Sequence, residues 1–143
     1  MRNVRILVTM LLAPRHFVGF LDGRYGTVQQ IAFIPGEFTR LIGSLSSDLL
    51  IRRDYALKLQ REHGLRYEQF QLIQPAIDAG YVLIDDKQQL VFLYIHNTRE
   101  FYRLAVKTAK MGSELWLLTF HRVRQLQFDS LLRRYGLLRE HEE

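Results

Sequence analysis

Four side chains between residues 101 and 122 have the chemistry needed to act on a phosphate ester: Arg103, Lys107, Thr119 and His121. Arg and Lys bind and polarise phosphate oxygens, and Arg can do so through two parallel hydrogen bonds. An imidazole titrates near neutral pH and suits general acid or base catalysis. Metal-independent cleavage of a phosphate ester needs a base for the attacking group, an acid for the departing oxygen and fixed positive charge at the phosphate. These four groups could supply those three functions.

The sequence predicts that one β-hairpin positions these groups. A three-residue loop, 110 to 112, contains Gly112 where a positive φ is needed, and both flanks are rich in β-branched, aromatic and leucine residues. The register that this loop fixes predicts one apolar face, made by Tyr102, Leu104, Val106, Trp116, Leu118 and Phe120. The four polar side chains then share the opposite face, with Phe101 across from His121. We expect Lys107 and His121 to act together in one site.

A solvated surface is the alternative explanation of this polar face, because antiparallel sheets often keep one face in water. However, no carboxylate occurs between Phe101 and Ser113. A solvated face would more typically mix Lys with Glu and Ser. The composition therefore favours phosphate binding.

Length and composition limit the classes of protein. The chain has 143 residues, no cysteine and a formal net charge of +5, with a sequence pI near 9.7. It is long enough for a single domain with an ordinary core, and it cannot form disulfides or thiolate zinc sites. The basic charge favours polyanionic partners such as RNA. The residues 6 to 13 are apolar but too short to span a membrane, and no cleavage site follows them, so we expect a cytoplasmic protein.

Other catalytic motifs are absent from the sequence, which has no Gly-rich phosphate loop, no HExxH and no GxSxG. Its histidines are scattered, and we predict no metal and no cofactor. His63 is the one histidine besides His121 that lies where helix and strand ends could converge. We expect His141 to lie in a frayed acidic tail.

The remaining elements follow from turn and capping signals. We expect a buried strand, with a turn-rich helix as the alternative, at 6 to 13. A hairpin closed by Asp22-Gly23, a short helix between Pro35 and Gly43, and a brief strand at 49 to 51 follow. A helix from Asp54 to His63, a helix from Tyr67 bent at Pro75, strands at 81 to 84 and 89 to 96, and a final helix ending at Gly136 complete the prediction.

The segment YRLAVKTAKMGSELWLLTFHRV (102 to 123) resembles the core of the phage-associated barnase, EndoU, colicin and RelE superfamily of metal-independent ribonucleases, the BECR fold. In that family a strand carrying Lys leads by a hairpin into a strand ending Phe-His-Arg. Segments 34 to 37, 46 to 65, 67 to 82 and 89 to 96 follow the family's order of helix, strand, helix, helix and sheet. The family's helix-capping Ser is replaced here by Arg52-Arg53-Asp54, where Asp54 could form the cap.

The resemblance implies an α+β fold in which N-terminal helices pack on an antiparallel sheet of four or more strands, followed by a C-terminal helix. Residues 1 to 33 would be a strand-rich extension, 34 to 124 the nuclease core, and 125 to 143 a helix and tail. It implies a toxin-like or phage-encoded RNA endonuclease, with RNA and an antitoxin or immunity protein as partners. A noncatalytic RNA-binding or phage-host interaction module is the alternative. A third possibility is a RelE-like scaffold that poisons a protein target rather than RNA.

The site residues implied by the family motif are Lys107, Thr119, His121 and Arg122. We assign Lys107, Thr119 and His121 to catalysis. Substrate binding is assigned to Arg103, Arg122 and His63.

Overall fold

The structure, a computed structural model, describes residues 13 to 142. Its helices are α1 (Pro14–Leu21), α2 (Gly36–Thr39), α3 (Arg53–His63), α4 (Tyr67–Phe70), α5 (Ile73–Ala79) and α6 (Gln125–Arg134). Its strands are β1 (Val28–Phe33), β2 (Asp48–Arg52), β3 (Tyr81–Ile84), β4 (Leu90–Asn97), β5 (Glu100–Ala109), β6 (Glu114–Val123) and β7 (Gly136–Arg139).

The predicted antiparallel sheet preceded by helices is wrong. Residues 13 to 142 form an α+β structure around a seven-stranded sheet in the order β1-β2-β6-β5-β4-β3-β7. This sheet is mixed, because β2 runs parallel to β6 through the pairs Leu49 with Leu115 and Leu50 with Trp116. The sequence predicted the strands of the β3 to β6 meander, but it gave no signal for the partner of β2.

Each face of the sheet buries its own apolar cluster. On the first face, α1, α3 and α5 cover residues that include Tyr102, Leu104 and Phe120. On the second face, α6 contributes Phe128 and Leu131 and covers part of β3, β4 and β5. The part of the second face next to α3 is left for polar side chains.

The predicted register of the β5–β6 hairpin is wrong. Its loop has four residues, Lys110 to Ser113, because Ala109 pairs with Glu114, and the register shifts again where Ala105 pairs with Thr119 and Val106 with Leu117. Leu118 is the extra residue of that bulge. Two successive non-glycine residues of the loop, Lys110 and Met111, have φ values of 51° and 58°. Local turn rules place such conformations at Gly, Asn or Asp, so they favoured the shorter loop.

The register shift changes the neighbours of the polar residues. His121 pairs with Arg103 instead of Phe101, and Lys107 pairs with Trp116. Trp116 and Leu118 therefore leave the predicted apolar face, whereas Leu115 and Leu117 join it. Arg103, Lys107, Thr119 and His121 stay together on the second face, as alternation along the strands requires.

The predicted hairpin at Asp22-Gly23 is also wrong. Residues 14 to 21 form helix α1, which begins at a proline and buries Phe17 and Phe20 at helical spacing. Asp22-Gly23 ends this helix, since Gly23 adopts a φ of 85°. The strand predicted for residues 6 to 13 lies almost wholly outside the described residues.

Turn and helix signals predicted the middle of the chain well. α3 ends at Gly64, which has a φ of 62°. Where we expected a bend at Pro75, the structure has a break between α4 and α5. In a continuous helix the proline ring would clash with the carbonyl of Gln71, four residues earlier. Asp54 lies in the first turn of α3 but forms no capping bond at its start. None of the helices between residues 13 and 142 is long and apolar enough to cross a membrane.

The C-terminal tail is ordered rather than frayed. β7 pairs with β3 along the edge of the sheet. The His141 ring accepts the Ile95 N–H at 3.0 Å, and the Glu142 N–H donates to the Ala79 carbonyl at 2.7 Å. The acidic residues of the tail suggested that it would fray, but the strand pairing and these two hydrogen bonds hold it against the rest of the fold.

The loop at Gly112 offers a test of the hairpin geometry. Gly112 has a φ of 89°, and a Cβ at this position would collide with the carbonyl oxygen of Gly43. Its own carbonyl accepts the Leu45 N–H at 2.7 Å. We expect Gly112→Ala to cost about 1 to 2 kcal/mol of left-handed strain and roughly 1 to 3 kcal/mol more of overpacking.

Gly26→Ala is the matched control, because Gly26 has a φ of 81° but no neighbouring atom within 4 Å of its missing Cβ. Gly26→Ala should therefore lose only the stability that corresponds to left-handed backbone strain. Urea unfolding of both variants measures the difference, and equal losses would contradict the close packing of the two loops.

Candidate functional site

Helix α3 lies along the part of β6 that β2 does not reach. β2 pairs with β6 only at residues 115 and 116, and the chain then leaves the sheet as α3. The Tyr55 hydroxyl donates to the carbonyl oxygen of Leu118 at 2.6 Å. Burial raises the pKa of Tyr55, so this hydroxyl stays a donor. Helix α3 thus lies beside β6 where a longer β2 would otherwise pair with it. It borders the part of the second face that carries the polar side chains.

Two histidines meet where α3 ends. His63 is the last residue of α3, and its ring stacks on the ring of His121 with centroids 4.6 Å apart and planes inclined by 11°. Arg103 lies on the neighbouring strand, directly paired with His121. We call His63, Arg103 and His121 the histidine cluster.

The hydrogen bond of His121 defines the tautomer of its neutral ring. Its Nδ1 lies 2.8 Å from the Arg122 carbonyl oxygen, which can only accept. Nδ1 therefore carries the proton, and Nε2 of the neutral ring keeps a free lone pair. Burial lowers the pKa of His121 below its usual value of 6.5, the bond to Arg122 opposes that shift, and the charges of His63 and Arg103 lower the pKa further. A neutral ring with a free Nε2 is a competent general base at neutral pH.

Arg103 has an unused hydrogen-bond donor. Among the described residues, its Nε is buried without a partner. A buried donor left unpaired costs about 1 to 3 kcal/mol. Arg103 as a whole is half-buried, so an anion that reaches the accessible part of this side chain would compensate its charge, and β5–β6 pairing brings no carboxylate opposite Arg103 or His121.

Lys107 lines a separate cleft between α3 and the end of the β5–β6 hairpin. The volume of this cleft is about 610 Å³. Its walls carry five cationic side chains, Arg52, Lys58, Arg61, Lys107 and Lys110, and two acidic ones, Asp54 and Glu114. We call it the basic cleft.

Trp116 forms the apolar wall of the basic cleft. Its indole Nε1 donates to a Glu114 carboxylate oxygen at 3.1 Å, and the Arg52 guanidinium carbon lies 4.3 Å from the ring centroid, over the ring. Glu114 also pairs with Lys110 at 3.3 Å. The indole is therefore fixed at its edge and covered on one side by an arginine.

The predicted site residues fall in two places. His63, Arg103 and His121 come together in the histidine cluster. Lys107 lies four residues from Arg103 along β5, about 13 Å away, in the basic cleft.

The other two predicted residues differ in position. Thr119 pairs with Ala105, between the cluster and the cleft. Arg122 pairs with Tyr102, and its guanidinium donates to the Arg99 carbonyl at 3.1 Å. Alternation therefore puts Arg122 on the opposite face from His121.

The sequence did not indicate Arg52, Tyr55 and Trp116 as site residues. Trp116 was assigned to the core because the hairpin register was wrong. Arg52 was noted only at the beginning of a helix. Tyr55, Lys58 and Glu62 recur at helical spacing, which is the one signal that α3 has a polar side of its own.

Comparisons of the chain with models of known protein families, with curated proteins and with solved structures gave no match.

The pKa of His121 can be measured by NMR titration of its ring protons. We expect a midpoint below 6.5, because burial and two neighbouring cationic groups disfavour protonation. His63→Gln should raise the midpoint, since it removes a chargeable neighbour. His16→Gln is the control, because His16 stacks on Tyr25 instead. A midpoint at or above 6.5 in the unmodified protein would contradict the buried environment described here.

Proposed function

We propose that this protein is a metal-independent RNA endonuclease that acts in the cytoplasm as a toxin-like or phage-encoded effector. The observation that carries the proposal is the histidine cluster, in which a neutral His121 ring with a free Nε2 lies beside Arg103 with an unpaired buried Nε. The toxin or phage role and a neutralising antitoxin or immunity protein rest on the sequence resemblance alone.

The proposed reaction is attack of the 2′-oxygen on the adjacent phosphorus. His121 Nε2 takes the 2′-hydroxyl proton, the 2′-oxygen bonds to phosphorus, and the bond from phosphorus to the 5′-oxygen breaks. His63 is the nearest second proton carrier and supplies the proton to the departing 5′-oxygen. The products are a 2′,3′-cyclic phosphate and a free 5′-hydroxyl.

Arg103 provides the fixed positive charge at the reacting phosphate. Charge on the phosphoryl oxygens grows in the transition state, so a positioned guanidinium stabilises that state more than the ground state. Lys107, about 13 Å along the strand, is too far away to share one phosphate with His121. We assign it to a neighbouring phosphate, with Thr119 between the two positions.

A noncatalytic RNA-binding module is the second candidate. The observation that favours it is the basic cleft, whose five cations include Lys107 but not His121. Such a cleft could hold RNA without any reaction. In that case the histidine cluster would serve only to bind phosphate.

Incubation of the purified protein with total RNA in excess chelator separates the two candidates. We expect cleavage to persist and the new ends to carry cyclic phosphate. RNA that stays intact but binds tightly, with an affinity that falls steeply with salt, would instead support the module.

His121→Gln should lower the cleavage rate by about 10²- to 10⁴-fold, the usual contribution of a general base. Lys107→Ala should act on binding more than on the rate of the bound complex, and with little loss of stability, because Lys107 is exposed. Lys87→Ala, an exposed cation in the β3–β4 turn, is the control and should match the unmodified protein.

The activity of the unmodified protein should rise with pH through a midpoint below 6.5, because His121 must lose its proton to act as the base and its pKa is lowered. A profile of kcat/KM against pH for a defined oligonucleotide measures this midpoint. A profile with no rising limb at acidic pH would exclude His121 as the base.

A further inference from the structure

We propose that Arg52, held over the ring of Trp116, is a stacking platform for one unpaired base of the RNA strand. This inference rests on the proposed function, because it assigns the part of the substrate that enters the basic cleft. The ligand is a nucleotide of single-stranded RNA whose base contacts Arg52 and whose phosphate contacts the cations around it.

The platform is built from one exposed and one buried side chain. Trp116 is only 8% exposed, and its Nε1 bond to Glu114 fixes the ring from one edge. Arg52 lies over the ring, with its guanidinium carbon 4.3 Å from the centroid, and is itself exposed. The cation–π contact restrains a long side chain that would otherwise sample many rotamers. The guanidinium therefore presents its outer side to the solvent of the cleft.

A base is the chemical group that fits such a surface. Unstacked RNA bases stack on aromatic rings and on Arg guanidinium planes, and this mode of binding tolerates every base because each has a π face. A cleft of about 610 Å³ falls within the usual range for small-ligand pockets.

The charges around the platform suit the phosphate of the same nucleotide. Within residues 13 to 142, neither Arg52 nor Lys107 forms an ion pair, whereas Lys110 is paired with Glu114 and Lys58 with Glu62. Lys107 lies on β5 directly opposite Trp116. Its uncompensated charge is therefore available beside the stacked base.

The platform also lies at a defined distance from the histidine cluster. About 13 Å of strand separates Lys107 from Arg103, which exceeds the size of one phosphate group. We therefore assign the stacked base to a nucleotide next to the one that is cleaved. The platform would fix how the RNA is positioned relative to the histidine cluster.

Trp116 is the only tryptophan in the chain, so its fluorescence reports on this cleft alone. The test titrates the protein with a short 2′-O-methyl RNA oligonucleotide, which cannot be cleaved, and with an abasic oligonucleotide of the same length and charge. We expect the base-bearing oligonucleotide to change the Trp116 fluorescence and to bind more tightly.

Arg52→Lys keeps the charge and removes the planar group. It should weaken binding of the base-bearing oligonucleotide by roughly 5- to 100-fold, the affinity that one stacked base contributes, and leave the abasic affinity unchanged. Arg134→Lys is the matched control, because Arg134 also lies over an aromatic ring, that of Tyr135, but outside the basic cleft, and it should change neither affinity. Circular dichroism and thermal unfolding verify that both variants fold.

Equal effects of Arg52→Lys on both oligonucleotides, or no effect on either, would overturn the platform. If unmodified RNA were still cleaved in that case, the proposed function would stand without it. Failure of the unmodified protein to bind the oligonucleotides and to cleave RNA would overturn both proposals. Base-dependent binding through Arg52 without any cleavage would support the platform on the noncatalytic module.

Discussion

The short parallel contact between β2 and β6 is the constraint on which the candidate site depends. Only Leu49 and Leu50 of β2 pair with β6, and the chain then turns into α3. Because β2 stops there, the rest of the β6 edge must be satisfied by another element, and Tyr55 does so by donating to the Leu118 carbonyl. This arrangement puts a helix next to the polar half of a sheet face. A longer β2 would extend the sheet and leave no cleft beside Trp116 and no histidine above His121.

The site concentrates positive charge that the fold itself does not compensate. Arg103 and His121 are partly buried on paired strands without a carboxylate among their paired neighbours. Burial lowers the pKa of His121, and the charges of His63 and Arg103 lower it further, so the neutral ring is favoured. Arg103 cannot lose its proton, so it keeps its charge and an unpaired Nε. Uncompensated groups of this kind are typical of binding and catalytic sites, where the ligand supplies the missing partner.

The sequence predicted what depends on neighbouring residues and failed where distant residues decide. Helix α3 with Gly64 at its end, the break before Pro75 and the strands of the β3 to β6 meander follow from local capping and alternation. It was also predictable that one face of the sheet carries Arg103, Lys107, Thr119 and His121. Side chains alternate between the two faces along a strand, and this alternation does not depend on the exact register. The loop at Met111 was not predictable, since the contact between Gly112 and the Gly43 loop is made across the fold. The same holds for the bulge at Leu118 and the partner of β2. The approach of His63 to His121, in contrast, was expected from the helix end and the strand end on which they lie.

The separation in sequence between β2 and β6 has a consequence for how the chain folds. Leu49 and Leu115 lie 66 residues apart in the sequence, so closing this pair carries a larger entropic cost than closing any hairpin. Until β2 docks, the edge of β6 presents free N–H and C=O groups to solvent, which is the feature that makes partly folded sheets prone to pair with other chains. The histidine cluster needs α3 in place, so the docking of β2 and α3 on β6 is also the step that completes the site. A chain arrested before that step would hold Arg103 and His121 without His63.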